Sequence, residues 1–164
     1  MNTVTSVRPE DAPVNASSTT RDYVTLTIAG QWFGIPVLMV QDVLGPRDIA
    51  HIPLADRVVA GSLNLRGRIV TVIDMRKRLG LPERRKDEKG MNIVVEHGGN
   101  LYSLLIDAVG EVMSAPEDKF ERNPATVDPL WRDFSDGIYR LENQLLIVFN
   151  VEKLLEIGGN LGTK

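Results

Sequence analysis

The chain has 164 residues, of which 43% are hydrophobic and 25% charged, and its formal net charge is −3. These values predict one globular domain, or two small barrels that share an interface, and the lack of an 18-residue apolar run argues against a membrane-spanning helix. The absence of cysteine excludes disulfides, thiolate nucleophiles and Cys-ligated metals, and it favours the cytoplasm as the compartment.

The N-terminal part of the chain predicts a tail followed by a hairpin. Residues 1–20 are rich in Thr, Ser, Asn and Pro and contain no apolar segment, which is typical of a disordered tail and not of a signal peptide. From Tyr23 to Ile28 apolar and polar residues alternate as in a half-buried strand. Ala29-Gly30-Gln31 then turns the chain towards Trp32 to Ile35, so we expect a first hairpin here.

Short helices are predicted at three places. Val37, Val40, Gln41 and Leu44 recur at helical spacing until Gly45-Pro46 would stop the helix. Residues 55–60 could form a second short helix, and residues 75–79 a single turn before Gly80. The charged stretch that follows indicates a surface connection, and we expect the chain to cross between two subdomains near residues 80–90.

The C-terminal half predicts further strands. Two runs, residues 91–96 and 101–106, flank Gly98-Gly99, which suits a tight hairpin. Residues 109–114 predict another strand, and residues 135–141 can pair with residues 144–149. Asn150 is a good N-cap for a last helix over residues 151–157, before a flexible tail at 158–164. Because no helix of 10 to 15 residues alternates with the strands, the pattern indicates an all-β fold.

A polar turn directly precedes the most continuous strand signal. Residues 69–73 form an unbroken and mostly β-branched run, which predicts a strand that is covered on both sides. Asn64, Arg66 and Gly67 supply a short polar side chain, a fixed charge and a flexible φ just before this run. The combination contains no catalytic grouping, and it predicts a binding surface.

Basic residues are concentrated in one part of the chain. The window from Arg66 to Lys89 holds nine of the nineteen Lys and Arg residues against four acids, which leaves the rest of the chain acidic. Such an uneven distribution could steer an acidic partner or bind nucleic acid, and it could also be a solvated loop. No aromatic residue lies within the window, which disfavours stacking on single-stranded nucleic acid.

Signals for catalysis are weak. Asp74 and Asp107 each follow an apolar strand and could form an acid/base pair in a small hydrolase, but the favoured interpretation is that each caps the turn that follows it, Asp107 through amides near Val109. His51 and His97 are the only histidines and lack a second ligand at metal spacing. Nucleotide-binding and nucleophile-elbow motifs are absent. We therefore predict no enzyme activity, no cofactor and no metal.

Several separated segments resemble the CheW family, the adaptors of bacterial chemotaxis. Asn64 to Gly67 resembles that family's Asn-x-Arg-Gly motif, within a matching stretch over residues 61–76. Residues 33–43, 106–112 and 146–155 match in the same order. The resemblance covers about Tyr23 to Leu155, nearly all of the chain outside the tails.

The resemblance implies a fold and a role. The expected fold is two packed SH3-like β-barrels within residues 21–157, and the expected role is to couple the cytoplasmic tips of chemoreceptors to the histidine kinase CheA, without membrane insertion or nucleic-acid binding. It places Val40 and Asp42 in a region of partner contact, and Asn64, Arg66 and Gly67 at the turn that affects receptor binding. From its helical spacing alone, Val40 could instead be a core residue.

Overall fold

The computed structural model describes residues 19–157, and these residues form an all-β fold, as predicted. The ten strands are β1 (Thr20–Ile28), β2 (Gln31–Pro36), β3 (Val40–Leu44), β4 (Val59–Leu65), β5 (Arg68–Asp74), β6 (Met91–His97), β7 (Asn100–Ile106), β8 (Ala108–Pro116), β9 (Ser135–Leu141) and β10 (Gln144–Phe149). Three short α-helices, α1 (Met75–Arg78), α2 (Pro129–Arg132) and α3 (Val151–Leu154), and two 3-10 turns, Val37–Met39 and Glu117–Lys119, connect them.

The strands form two five-stranded sheets. The first has the order β8-β1-β2-β10-β9 and the second the order β3-β6-β7-β5-β4. In the first sheet, the chain beyond β8 returns to the other edge strand, where Glu121 bridges to Ile138. In the second sheet, the chain beyond β3 likewise returns to the other edge strand, β4, where Ala50 bridges to Ser62. We call the two units the first barrel and the second barrel, and they confirm the predicted pair of β-barrel subdomains.

The two barrels repeat one topology. Strands β3 to β7 of the second barrel take the positions that β8, β9, β10, β1 and β2 take in the first. Each barrel contains one parallel pair, β5 with β7 and β10 with β2, and a short helix follows the same strand in both. Asp74 caps α1 and Asn150 caps α3 through their side chains. The first barrel is therefore built from both ends of the described chain, whereas the second is continuous.

Side chains on the two faces of one strand pack into different apolar cores. In β1, Val24, Leu26 and Ile28 face a core that both barrels share, as their predicted alternation requires, and Tyr23 faces the interior of the first barrel. In β5, Val70 and Val72 face the interior of the second barrel. Ile69, at the start of the same strand, is 67% exposed. The prediction of a strand covered on both sides is therefore wrong at Ile69, which stands next to the surface turn.

Aromatic side chains of the first barrel pack at the shared core, and one of them also bonds to the second barrel. Phe33 of β2 stacks on Phe149 of β10 with ring centroids 4.5 Å apart, and the Trp131 ring meets Phe33 edge-on. The indole N–H of Trp131 donates a hydrogen bond of 2.9 Å to the Leu79 carbonyl at the end of α1. Trp131 thus packs its ring within the first barrel and links the two barrels through its polar atom.

The predicted helix over residues 37–44 is wrong, because residues 40–44 form strand β3. Only Val37–Met39 make a 3-10 turn, and Val40 and Val43 then pair with Val95 and Ile93 of β6. Positions four apart lie on one face of a helix and also on one face of a strand, so the spacing of Val40 and Leu44 fits both. Pairing with a distant strand decides between the two structures.

Two further predictions are corrected. No helix forms over residues 55–60, because Asp56 makes a turn that closes with the Val59 N–H and Val59 then pairs with Ile73. The chain does not change sheets near residues 80–90, since β5 and β6 both belong to the second sheet. It changes sheets at Val37–Met39 and at Asp107, where consecutive strands belong to different sheets.

The predicted single turn over residues 75–79 is confirmed as α1, and the predicted last helix is shorter than expected, ending at Leu154. The predicted tails, residues 1–20 and 158–164, lie outside the described residues except for Thr19 and Thr20. Thr20 already belongs to β1.

The bridge at the edge of the second barrel depends on Gly61. Its φ is +149°, and a Cβ atom at this position would overlap the Ala50 carbonyl oxygen and the Ile49 side chain. Gly61→Ala should therefore lower the free energy of unfolding by about 3 kcal/mol or more, measured by urea denaturation. Gly67→Ala is the matched control, because its φ is +85° but the space around it is open, and it should cost about 1 kcal/mol. Equal losses would show that the Ala50 bridge does not constrain Gly61.

Candidate functional site: a polar turn on the second barrel

The turn between β4 and β5 is a two-residue hairpin with a fixed shape. Leu65 pairs with Arg68, and the two residues between them, Arg66 and Gly67, have φ of +52° and +85°. Positive φ at both central positions is the requirement of a type I′ turn, whose twist matches that of the flanking strands. The Asn64 side-chain oxygen accepts a 3.0 Å hydrogen bond from the Gly67 N–H. The Asn-x-Arg-Gly sequence thus locks the turn and leaves the Arg66 side chain outside.

An ion pair joins this turn to the far edge strand of the same sheet. Arg66 Nη2 lies 3.0 Å from Asp42 Oδ2, although β3 and β4 stand at opposite ends of the strand order. The hydrogen bond from Arg66, and a second one from the Val43 N–H, hold the pKa of the Asp42 carboxyl below its ordinary value. The Arg66 side chain remains 75% exposed. It is therefore oriented by Asp42 but still accessible to a partner.

The structure brings four of the five predicted site residues into one surface. We call Asp42, Asn64, Arg66 and Gly67 the turn surface. Val40 lies two residues before Asp42 on the same strand, and its side chain is half-buried against the shared core. The sequence admits two interpretations of Val40, as a core residue or as an exposed anchor for a partner, and its packing against the shared core favours the first interpretation. The exposed apolar side chain next to the turn belongs to Ile69.

Apolar side chains border the turn surface. A shallow cleft of about 340 Å³ runs beside Asn64 and is lined by Asp48, Ile49, Ala50, Ser62, Leu63, Asn64 and Ile69. Ile69, next to the turn on β5, provides a large apolar side chain that is exposed to water. Sequence reasoning missed Ile69 because an apolar residue in a strand is usually buried. The signal available was its place directly after the Arg66-Gly67-Arg68 turn, where one face of the strand is already outside the barrel.

Asp74 and Asp107 hold structural positions. Asp74 Oδ1 accepts hydrogen bonds from the backbone N–H groups of Arg76 and Lys77, which confirms the capping interpretation for this residue. Asp107 does not cap the turn near Val109. It accepts instead from the Ala29 N–H at 2.7 Å and from the guanidinium groups of Arg76 and Arg84 at 2.6 to 3.1 Å. Both carboxylates are thus occupied by fixed donors.

Three of the nine cations of the basic window are used inside the protein. Arg76 and Arg84 are bound to Asp107, with side chains only 15% and 11% exposed. Arg78 donates to the carbonyls of Leu154, Lys153 and Glu156 at the end of α3, and its guanidinium lies 4.5 Å from the centre of the Phe134 ring. Burial lowers the pKa of Arg78. These arginines are unavailable to nucleic-acid phosphates, and the exposed cations nearest the turn are Arg66 and Arg68.

The histidines and carboxylates do not assemble a metal site in the described part of the chain. His51 is exposed in the connection between β3 and β4, and His97 is half-buried at the end of β6. Among residues 19–157, no group of three or more His, Asp or Glu side chains could hold a metal ion. In the same residues, no helix combines the length and the apolar character that crossing a bilayer requires.

These features define a two-barrel protein with an exposed polar turn as its candidate contact. The model of the CheW-like domain matches residues 22–158. The chain is 27% identical to the chemotaxis protein CheW of Klebsiella aerogenes over 135 residues, covering 82% of this chain and 81% of that protein. It is 25% identical to CheW of Bacillus subtilis over 133 residues (81% and 85%), and 26% identical to protein PilI of Pseudomonas aeruginosa over 134 residues (82% and 75%).

A solved structure agrees with these relatives. The crystal structure of the scaffolding protein TtCheW from Thermoanaerobacter tengcongensis superposes with a TM-score of 0.77 at 30% identity, covering 87% of this chain and 97% of that chain. The chain belongs to the CheW-like domain family, and it is a non-enzymatic adaptor of the chemotaxis type.

The Asp107 carboxylate should make stability depend on pH in the acid range. Burial alone would raise the pKa of Asp107, but the hydrogen bonds from Arg76, the Ala29 N–H and Arg84 outweigh it and lower the pKa to about 2. Because the folded pKa lies below the unfolded value, the stabilisation is complete above about pH 5 and is lost as the pH falls from about 4 towards 2. It amounts to about 1 kcal/mol once screening by water is allowed for.

Urea denaturation of the parent and of Asp107→Asn at pH 7, 4 and 2.5 measures this effect. The difference in the free energy of unfolding between the two proteins should be largest at pH 7 and should shrink at pH 2.5. A difference that stays constant with pH would show that the carboxylate is not held ionised by its arginines.

Proposed function

We propose that this protein couples the cytoplasmic tips of chemoreceptors to the histidine kinase CheA, and that it is recruited from the cytoplasm to membrane-bound receptor arrays. The turn surface is the proposed receptor contact. The observation that carries the proposal is the Asp42 and Arg66 ion pair, which presents an exposed guanidinium on a turn of fixed shape. Membership in the CheW-like domain family supports the general role.

The turn surface suits a reversible protein contact. A rigid two-residue turn loses little conformational entropy on binding, because Asn64 already holds Gly67 in place. Exposed Ile69 offers apolar area beside the charge, and a guanidinium can bind a partner carboxylate through two parallel hydrogen bonds. An apolar patch flanked by a fixed cation fits an acidic, amphipathic partner segment better than a small molecule, since the adjoining cleft is shallow and open.

An adaptor needs only surfaces that hold two partners in one geometry. The shared core and the interbarrel bond from Trp131 to Leu79 supply a stiff support between any two such surfaces. Each contact can be small and of micromolar strength, because an array of receptors and kinases supplies many contacts at once. The nucleic-acid alternative has less support, since three arginines of the basic window are engaged internally.

Arg66→Glu should reduce receptor binding while the protein stays folded. The substitution reverses the exposed charge and places two carboxylates side by side, so the melting temperature should fall by no more than about 3 °C. Affinity for a purified receptor cytoplasmic fragment should fall at least about tenfold, measured by isothermal titration calorimetry. Arg85→Glu is the control, because this arginine is also 74% exposed but lies in the connection between α1 and β6.

A charge swap separates the internal role of Arg66 from its role in binding. Combining Asp42→Arg with Arg66→Asp restores an ion pair of opposite polarity, so stability should recover, but receptor binding should remain weak. If the swapped protein binds the receptor normally, the ion pair matters only for the shape of the turn. If Arg66→Glu itself binds normally, or if binding to a random DNA duplex shows the larger loss, the proposed contact is wrong.

A further inference from the structure

The chain passes between the two barrels at two points of different chemistry. The first is the 3-10 turn Val37–Met39, where Val37 and Met39 pack against the shared core. The second is a single residue, Asp107, between the end of β7 and the start of β8. An apolar turn and a carboxylate therefore mark the two places where one barrel could rotate against the other.

Asp107 binds groups from both barrels at once. Its Oδ2 accepts from the Ala29 N–H in the β1–β2 turn of the first barrel at 2.7 Å, and its backbone N–H donates to the Thr27 carbonyl. The guanidinium of Arg76, from α1 of the second barrel, donates to both carboxylate oxygens, and Arg84 Nη2 donates to Oδ1 at 2.8 Å. We call these four residues, Ala29, Arg76, Arg84 and Asp107, the Asp107 clamp.

The clamp is largely withdrawn from water. The side chains of Arg76, Arg84 and Asp107 are 15%, 11% and 22% exposed, far less than the 75% of Arg66 in the turn surface. Gly90 lets Arg84 approach, because a Cβ at this position would lie 3.1 Å from its guanidinium carbon and would overlap the Ile106 carbonyl. Ionic groups placed this way respond weakly to salt and are sensitive to small displacements.

The clamp and the shared core constrain the barrels differently. Apolar burial is non-directional, so a core of aliphatic side chains tolerates several close packings of similar energy. A carboxylate that satisfies three donors from two barrels has one favourable position, and any rotation leaves a partly buried charge unpaired. A group of this kind contributes more to the choice of one orientation than to the total stability.

One strand connects the clamp to the turn surface. Strand β5 begins at Arg68, beside the turn, and ends at Asp74, which caps the helix that carries Arg76. Its seven residues span roughly 20 Å, and it runs parallel to β7, which ends one residue before Asp107. The turn surface and the Asp107 clamp therefore lie at opposite ends of the same pair of strands.

We propose that Asp107 is a positioning residue, and that its clamp holds the two barrels in a single relative orientation. The consequence for signalling rests on the proposed function. A receptor that binds the turn surface can change the position of a partner on the first barrel only if the two barrels do not rotate independently. Loss of the clamp should then leave receptor binding intact and weaken stimulation of the kinase. The orientation itself can be measured without any partner.

The absence of cysteine permits clean spin labelling of the whole chain. Glu96→Cys places one label on β6 of the second barrel, and Glu142→Cys places the other in the β9–β10 turn of the first, both at exposed positions. Double electron–electron resonance should give one narrow distance distribution for this labelled parent. Adding Asp107→Asn, which removes the charge but keeps an acceptor for the Ala29 N–H, should broaden the distribution or add a second population.

Two further variants make the result decisive. Glu117→Gln is the control, because it breaks an exposed ion pair with Arg21 that lies entirely within the first barrel, and it should leave the distribution unchanged. Arg84→Met removes one donor and keeps the apolar stem, so it replaces Asp107→Asn if that protein does not fold. Broadening in Asp107→Asn or Arg84→Met, with unchanged receptor affinity and reduced kinase stimulation, supports the proposal.

A distribution as narrow as the parent's in folded Asp107→Asn and Arg84→Met would overturn the proposal, since the core would then fix the orientation alone. Failure of the receptor assay in the parent protein would count against the proposed function instead. It would not alter the distances, so the two failures are distinguishable.

Discussion

The apolar core shared by the two barrels is the constraint on which the rest of this structure depends. Strands β1, β2, β6, β7 and β10 each turn one face towards the interior of their own barrel and the other towards this core. Neither barrel could bury its strands alone, because removing the other would expose the faces that carry residues such as Leu26, Phe33 and Leu104. The chain therefore folds as one unit with two similar halves.

Polar groups are placed where this apolar core stops. At one end of β5 the Asn64 to Gly67 turn faces water and is held by Asp42, and at the other end Arg76 and Asp107 close the junction between the barrels. The charged side chains of one basic window thus have opposite uses. Arg66 stays exposed at the surface turn, whereas Arg76, Arg78 and Arg84 bind oxygen atoms inside the protein.

The repeated topology gives this small protein two corresponding turns with different side chains. Two equivalent barrels place two hairpin turns, β4–β5 and β9–β10, in corresponding positions, and these turns differ in charge: Arg66-Gly67 in one and Glu142-Asn143 in the other. The two halves are not consecutive in the sequence, because the first barrel takes β1 and β2 from the start of the described residues and β8 to β10 from their end. Equivalent positions with different side chains let one fold present different surfaces.

The sequence by itself determined most of the strands, the exposed turn and the family. Alternation marked β1, Gly98-Gly99 marked the β6–β7 hairpin, and the Asn-x-Arg-Gly motif marked the exposed turn, because each of these signals depends on neighbouring residues. Only the tertiary structure decided that Val40 lies on a strand, that Ile69 is exposed and that Asp107 binds two arginines. The places of Val40 and Asp107 depend on partners 23 to 78 positions away, and local propensity carries no information about such pairings.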